Sequence, residues 1–300
     1  MNLPHILDNI VSIFKHKGES VLGIDVGGSS IKIVQARNNA GQAILETYGE
    51  ISLGPYMKMD MGRSVKLSPD LLVEALRDVI KESNATTKIC GLAVPITSSL
   101  ITTMKTPFIS GDNLEEIVTM EARRYIPMSM QEITLDWQVI PNEQESATGL
   151  GLDSAPSQVL VSDNNREDGV KKTVAQKTIS VLIVAVHAEI ISRLKEMTEK
   201  AELDCRFLEL EAFSVIRSLW NRQEKNLAVV DFGAGSTKVY ITEGGTIRSS
   251  HTISFGSQDV TLAISRGTGV SIAEAERLKY TEDMSIGKDN GGNLLEGIVA

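Results

Sequence analysis

LGIDVGGSSIKIVQA, residues 22–36, is an apolar strand, a glycine-rich turn and a second strand of alternating character. The pattern recurs as LAVVDFGAGSTKVYI at residues 227–241. A shift of 206 positions places Asp25 on Asp231, Gly27 on Gly233, Ser30 on Ser236 and Lys32 on Lys238. Each copy runs into another strand signal, Ala43 to Ser52 after the turn near Gly41, and Thr246 to Phe255 after Gly244 and Gly245. A helix signal follows in both halves. In the first, Ser68 caps, Pro69 takes the first turn, and Leu71, Leu72, Ala75, Leu76, Val79 and Ile80 make a buried face. In the second, Val260, Ala263 and Ile264 begin a comparable pattern.

A turn without bulky side chains exposes its backbone. Successive N–H groups at Gly27, Gly28, Ser29 and Ser30 can converge on one oxyanion, because glycine allows an approach that a β-carbon blocks. Gly233, Ala234, Gly235, Ser236 and Thr237 form the second such turn. The hydroxyls of Ser29, Ser30, Ser236 and Thr237 offer further donors, and Asp25 and Asp231, at the strand ends, can hold magnesium through water. Neither turn has the GxxxxGK[ST] spacing of a Walker loop. One Asp-x-Gly turn reads as an ordinary hairpin, whereas two on apolar strands read as a clamp for a nucleotide's phosphates. Lys32 and Lys238 alternate along their strands and read as solvated or salt-bridged, not catalytic.

The 300 residues are 42% hydrophobic and 23% charged, a globular mixture long enough for two domains or one domain with a large insertion. A net charge of −9 argues against nucleic acid and anionic lipid as general partners. Cys90 and Cys205 form no CxxC pair and have no histidine run beside them, which argues against structural zinc and a disulfide framework; both are expected buried and reduced. Val181 to Val186, the strongest apolar run, is closed by His187 and Glu189 and is too short to cross a bilayer. Residues 1–20 lack the features of a secretory signal, so a cytoplasmic location is expected. Leu3, Ile6, Leu7, Ile10, Val11 and Phe14 predict an amphipathic helix over 3–16, packed on its own domain or docked on a partner or membrane surface.

With both turns read, Asp25 to Ser30 and Asp231 to Thr237 resemble the two phosphate motifs of the actin-like nucleotide-binding superfamily. The resemblance implies two related α/β domains closing on ATP and magnesium. In SIAEAERLKYTED, residues 271–283, Glu276 and Lys279 match the ERLK arrangement with which actin-like relatives touch ribose and adenine; alone, the segment reads as an amphipathic helix with charge pairs.

Residues 98–209 are too long for a connection and predict strand Leu100–Lys105, helix Asn113–Tyr125, strands Thr134–Ile140 and Ile179–Val186, helix Ala188–Ala201 and strand Cys205–Leu210. Within this inserted α/β unit, EARRYIPMSMQEITLDWQVI (121–140) resembles the signature of the PilM family, actin-like cytoplasmic proteins of type IV pilus assembly. VLIVAVHAEIISRLKEMTEKAEL (181–203) and FLELEAFSVIRSL (207–219) are similar to that family's following segments. The expected fold is therefore α/β, an actin-like two-domain nucleotide-binding fold with a small inserted subdomain. Its parts are an N-terminal tail 1–20, a first domain of 21–97 with 205–225, an insertion 98–204 with a mobile loop 141–177, and a second domain 226–300.

The resemblance implies a groove between insertion and first domain that takes the cytoplasmic N-terminal peptide of a PilN-like membrane protein. It also implies a location peripheral to the inner face of the cytoplasmic membrane, at a pilus or related type II secretion platform. Arg123, Arg124, Tyr125 and Trp137 are candidate contacts, set against ordinary helix ion pairs and core packing. Two departures stand out. The adenosine loop of the family is not matched, since GGNLLEG (291–297) follows KDN, not an apolar strand, so the second domain reads as incomplete. Ile96 to Thr103, where a water-orienting side chain is expected, contains no Asp, Glu, Asn or Gln, which favours ATP as a conformational ligand over fast turnover. Alternative readings are a sugar kinase of the same superfamily and an FtsA-like filament protein.

Overall fold

The computed structural model describes residues 18–39, 42–107, 114–140, 178–220 and 226–281. The expected helix 3–16, the loop 141–177 and the 291–297 segment lie outside the described residues. In chain order the strands are β1 (Ser20–Val26), β2 (Ser30–Asn39), β3 (Gln42–Ser52), β4 (Ile89–Val94), β5 (Ser99–Pro107), β6 (Ile133–Ile140), β7 (Thr178–His187), β8 (Asp204–Leu210), β9 (Asn226–Phe232), β10 (Thr237–Glu243) and β11 (Thr246–Ile253). The α-helices are α1 (Pro69–Glu82), α2 (Leu114–Ala122), α3 (Ala188–Lys200), α4 (Glu211–Leu219), α5 (Ser257–Thr268) and α6 (Ile272–Thr281).

The strands form three sheets, ordered β3-β2-β1-β4-β8, β5-β7-β6 and β11-β10-β9. In the first, β1, β2 and β3 make an antiparallel meander, while β4 lies parallel to β1 and β8 parallel to β4. The α1 crossover starts where Ser68 accepts from the Leu71 N–H and Pro69 fixes the first turn. Its Leu76 and Val79 meet Leu22, Ile24, Ile31 and Ile33 in one core. The apolar run on β7 has a packing reason. Val181, Ile183 and Ala185 pack beneath α2 in the inserted core, while Val184 and Val186 face the main core, so both sides of the strand are covered. The helix expected over Asn113–Tyr125 ends at Ala122, where the chain tightens as Arg124 N–H donates to the Glu121 carbonyl and Tyr125 N–H to that of Ala122.

The duplication in the sequence is a duplication in hydrogen bonding. Asp25 pairs with Lys32 across β1 and β2 as Asp231 pairs with Lys238 across β9 and β10. Gly27 N–H donates to the Ser30 carbonyl at 2.9 Å, and Gly233 N–H donates to that of Ser236 at 3.0 Å. The β11-β10-β9 sheet is tied to the rest through Ile96, Ala212 and Ile216, which share a core with Val229, Tyr240 and Ile247. Cys90 is buried, Cys205 half-buried, and both are free thiols on adjacent strands. Among the described residues no helix is long and apolar enough to cross a membrane.

Candidate functional site

The two glycine turns face each other across a single side chain. A β-carbon added to Gly28 would lie 2.8 Å from Ser64 Oγ, and one added to Gly235 would lie 3.1 Å from the same atom. The backbone closes the same contact: Val65 N–H donates to the Gly28 carbonyl at 2.9 Å, and Ser64 N–H donates to Gln258 Oε1 at 2.9 Å. The second turn is fixed from behind by α5. Ser257 N–H donates to the Gly233 carbonyl at 2.9 Å and Gln258 N–H to that of Ala234 at 3.0 Å. Gly256 is demanded there, since a β-carbon would sit 2.5 Å and 2.6 Å from the Ala234 and Gly233 carbonyl oxygens.

Not all expected donors are free: the N–H groups of Gly27 and Gly233, expected to face an oxyanion, are spent inside their own turns on the Ser30 and Ser236 carbonyls. Thr237 Oγ1 donates to the Phe255 carbonyl at 2.7 Å, and Ser30 Oγ accepts from Lys32 Nζ at 2.8 Å. The Ser30 hydroxyl also serves Glu50; that hydrogen bond, and then Lys32 against the cost of burial, holds the Glu50 carboxyl below its usual range. Ser29 and Ser236 remain on the turns, and Gly28 and Gly235 are exposed to the cleft.

Beneath the turns lies a ring of charge. Lys238 Nζ contacts Glu211 Oε2 at 2.8 Å and Asp231 Oδ2 at 3.4 Å, and Ile96 N–H donates to Glu211 Oε1 at 2.8 Å. The Lys238 ammonium is held above its usual pKa: burial pulls it down, and Glu211 and Asp231 outweigh that. In the first copy Lys32 pairs with Glu50 at 3.2 Å. Asp25 is open to solvent on one side and crowded by protein on the other. Desolvation, then the charges of Glu211 and Asp231, push its carboxyl above the ordinary value despite Lys32 and Lys238.

Four carboxylates, Asp25, Glu50, Glu211 and Asp231, thus face two ammonium groups, and the surplus matches one divalent cation. Among the described residues no three acidic, histidine or cysteine side chains converge closely enough to ligate a metal directly. Asp25 and Asp231 are the acidic side chains that would hold magnesium, through water, beside the turns. When bound, such an ion neutralises phosphate charge.

Glu276 and Lys279 lie together on α6. Lys279 Nζ donates to Glu276 Oε2 at 2.7 Å, Thr261 Oγ1 at 3.0 Å and the Ser257 carbonyl at 3.3 Å, so the pair is tied to α5. Gly62, at φ +79°, lies against the Glu276 carboxylate with no room for a β-carbon.

A family model for the type IV pilus assembly protein PilM matches residues 23–296. The chain belongs to the PilM family. A solved PilM–PilN type IV pilus biogenesis complex is similar at 20% identity and TM-score 0.66, covering 93% of this chain and 71% of that one. Cell division protein FtsA of Bacillus subtilis is 26% identical over 174 residues, 57% of this chain and 37% of FtsA, so the match spans well under half of that relative. The cytoplasmic domain of EpsL, an inner-membrane component of the Vibrio cholerae type II secretion system, is similar at 10% identity and TM-score 0.44, over 82% of this chain and 75% of that domain. The α/β fold expected from the sequence is shared with that PilM–PilN structure.

In this PilM-family chain one carboxylate of the charge ring comes from a place that sequence reasoning passed over. Ile96 to Thr103 is indeed without acids, and Glu211, the first residue of α4 directly after β8, reaches the Ile96 N–H. An acid at a strand-to-helix junction on a strand parallel to β4 was the available signal. The structure also opens an apolar cavity of about 170 Å³ between α1 and α3. Val26 of β1, Leu72 of α1, Pro95, and Ile190, Leu194 and Met197 of α3 line it, with Arg193, Glu196 and Lys200 among its polar groups. Arg123, Arg124 and Tyr125 are exposed beyond α2, and Trp137 packs toward the inserted core; none of the four lines the cavity.

Proposed function

We propose that this PilM-family protein is an ATP-binding scaffold of the type IV pilus assembly platform that captures the N-terminal cytoplasmic peptide of a PilN-like membrane protein. ATP lies between the turns 27–30 and 233–237, with magnesium beside Asp25 and Asp231 and the nucleoside toward Glu276 and Lys279. The single observation that supports this reading is the approach of both glycine turns to Ser64. Closure brings residues 226–300 toward 21–97 and 205–225, with 98–204 as the inserted unit. Both Glu211 oxygens are already engaged, by Ile96 N–H and Lys238 Nζ, which supports ATP as a ligand that biases closure, not a rapidly turned-over substrate.

The peptide lies in the cavity between α1 and α3, where apolar walls suit aliphatic side chains of an extended segment. The protein then sits at the inner face of the membrane through its partner, without spanning it. The PilM–PilN complex is the relative that supports this partner class. The test is a titration of the purified protein with a PilN-type N-terminal peptide, with and without ATP and magnesium. Saturable peptide binding that changes with nucleotide supports the reading; no binding in either condition removes the peptide half. Nucleotide-dependent filaments without peptide capture would favour an FtsA-like polymer instead.

A further inference from the structure

Residues 58–68, between the 3-10 turn and α1, form a strap that passes both glycine turns. After the 3-10 turn Gly54–Met57 the chain takes a left-handed residue at Lys58, φ 57°, and another at Gly62, φ 79°, before entering α1. It is anchored at both ends. Tyr56 Oη donates to Asp78 Oδ2 at 2.6 Å on one side, and Leu67 is buried in the main core on the other. Between these anchors it crosses from the first turn to the second half of the molecule. Ser64 Oγ lies beside Gly28 and Gly235, all three still open to solvent, and Gly62 lies on Glu276. The hold on the crossing is light: Val65 N–H to the Gly28 carbonyl, and Ser64 N–H to Gln258 Oε1.

A glycine turn binds an anion through backbone N–H groups that the missing β-carbon leaves approachable, and on both turns the Ser64 hydroxyl lies beside the glycine that gives this access. The nucleoside end of the proposed site is covered by Gly62 in the same manner. Two points of one strap therefore stand at the two ends of the ligand.

We propose that residues 59–66 are an internal competitor for the nucleotide cleft, so that entry of a nucleoside triphosphate and release of the strap are one event. This rests on the nucleotide reading above and adds its regulation. The strap and a triphosphate exclude one another, and a triphosphate that displaces Ser64 frees the Glu276 face as well. An alternative role, in which Ser64 stays and donates to the phosphate, predicts the opposite sign for every variant below.

The experiment compares the full chain with the Gln258→Ala and Ser64→Gly variants, titrating ATP with magnesium by calorimetry and following amide exchange at Ser64 and Val65. Gln258→Ala removes one side-chain acceptor from the strap, and losing one such hydrogen bond predicts ATP binding about threefold to tenfold tighter. Ser64→Gly is expected to move the same way. In the unaltered protein the Ser64 and Val65 amides should lose protection when ATP is added. Equal or weaker binding by both variants, with those amides more protected by ATP, overturns the strap while leaving nucleotide binding intact. No binding by any of the three proteins overturns the nucleotide reading itself, and the strap with it.

Discussion

Lys238 is the side chain whose removal best separates a structural ion pair from a surface one. Its ammonium meets Glu211 at 2.8 Å, with the two side chains 14% and 15% exposed, and Asp231 at 3.4 Å. Removing one member of a fully buried pair costs about 3–5 kcal/mol, because the other charge is left without a partner. Here some water reaches the pair, so Lys238→Met is expected to cost about 2–3 kcal/mol. The double variant Lys238→Met with Glu211→Gln removes the stranded charge as well and should recover about half of that loss.

Urea denaturation read by tryptophan fluorescence is the assay. Trp220, at the end of α4, has its ring against Gly245 of the β10–β11 turn and so reports on the junction that Lys238 holds. Lys238 has a folded pKa above the unfolded value, so its contribution is complete below the ordinary lysine pKa and is lost only as pH rises through the folded value. The difference between wild type and Lys238→Met should therefore be flat, on the lysine's account, from neutral to mildly alkaline pH. Magnesium without nucleotide should stabilise the Met variant more than the wild type, since it would replace the missing positive charge. A loss under about 0.5 kcal/mol, the scale of an exposed pair, or no recovery in the double variant, would refute the reasoning.

Asp25→Asn should separate stability from binding. The folded Asp25 pKa is raised, so its carboxyl favours the folded state fully below the unfolded value and loses that contribution as pH rises through the folded one. The Asn variant is thus expected to melt higher than wild type at neutral pH, with the gap closing in acid, while its magnesium–ATP affinity falls. Gly256→Ala places a β-carbon against two carbonyl oxygens of the second turn that cannot swing aside; a loss of about 1–3 kcal/mol in urea and weaker ATP binding are expected, with unchanged peptide binding. Ile190→Ser, on the cavity wall, should weaken peptide binding by about tenfold and leave nucleotide titration unaltered, which calorimetry with each ligand checks.

The strand and helix signals were legible because burial imposes its own period. Alternation along β2 and the apolar face of α1 each answer to one packed surface, and the repeated Asp-x-Gly turn exposed the duplication without reference to contacts. The continuous apolar run on β7 gave its presence but not its reason, which is that its two sides face different cores. Three parts of the site were illegible. Ser64 lies in a stretch with no regular structure and no motif, Gln258 looks like any polar residue of a helix start, and Glu211 reads as an ordinary first-turn acid. Their roles arise from separations of 194 residues between Ser64 and Gln258 and 115 between Ile96 and Glu211, which no local pattern encodes. The commitment of the Thr237 hydroxyl to Phe255 was hidden for the same reason.

The two proposed ligands meet along one stretch of backbone. Val26 lines the apolar cavity, and the next residues, Gly27 and Gly28, form the first turn. On the other wall the strap passes Ser64 and Val65, reaches the buried Leu67, and becomes the Pro69, Leu72 and Val73 surface of the same cavity. A displacement of Ser64 therefore pulls on the α1 start, and a peptide wedged between α1 and α3 pulls on the strap from its far end. Coupling through such a shared element must be reciprocal, so the factor by which magnesium–ATP changes peptide affinity equals the factor by which peptide changes ATP affinity. Gln258→Ala touches neither the cavity nor its lining. It should nevertheless shift peptide affinity in ATP-free protein toward the ATP-bound value, because it releases the strap without a ligand. If ATP alters peptide binding but Gln258→Ala leaves it unchanged in the absence of ATP, the signal does not travel through the strap. Closure of the two halves, acting through β8 and α4, would then have to carry it.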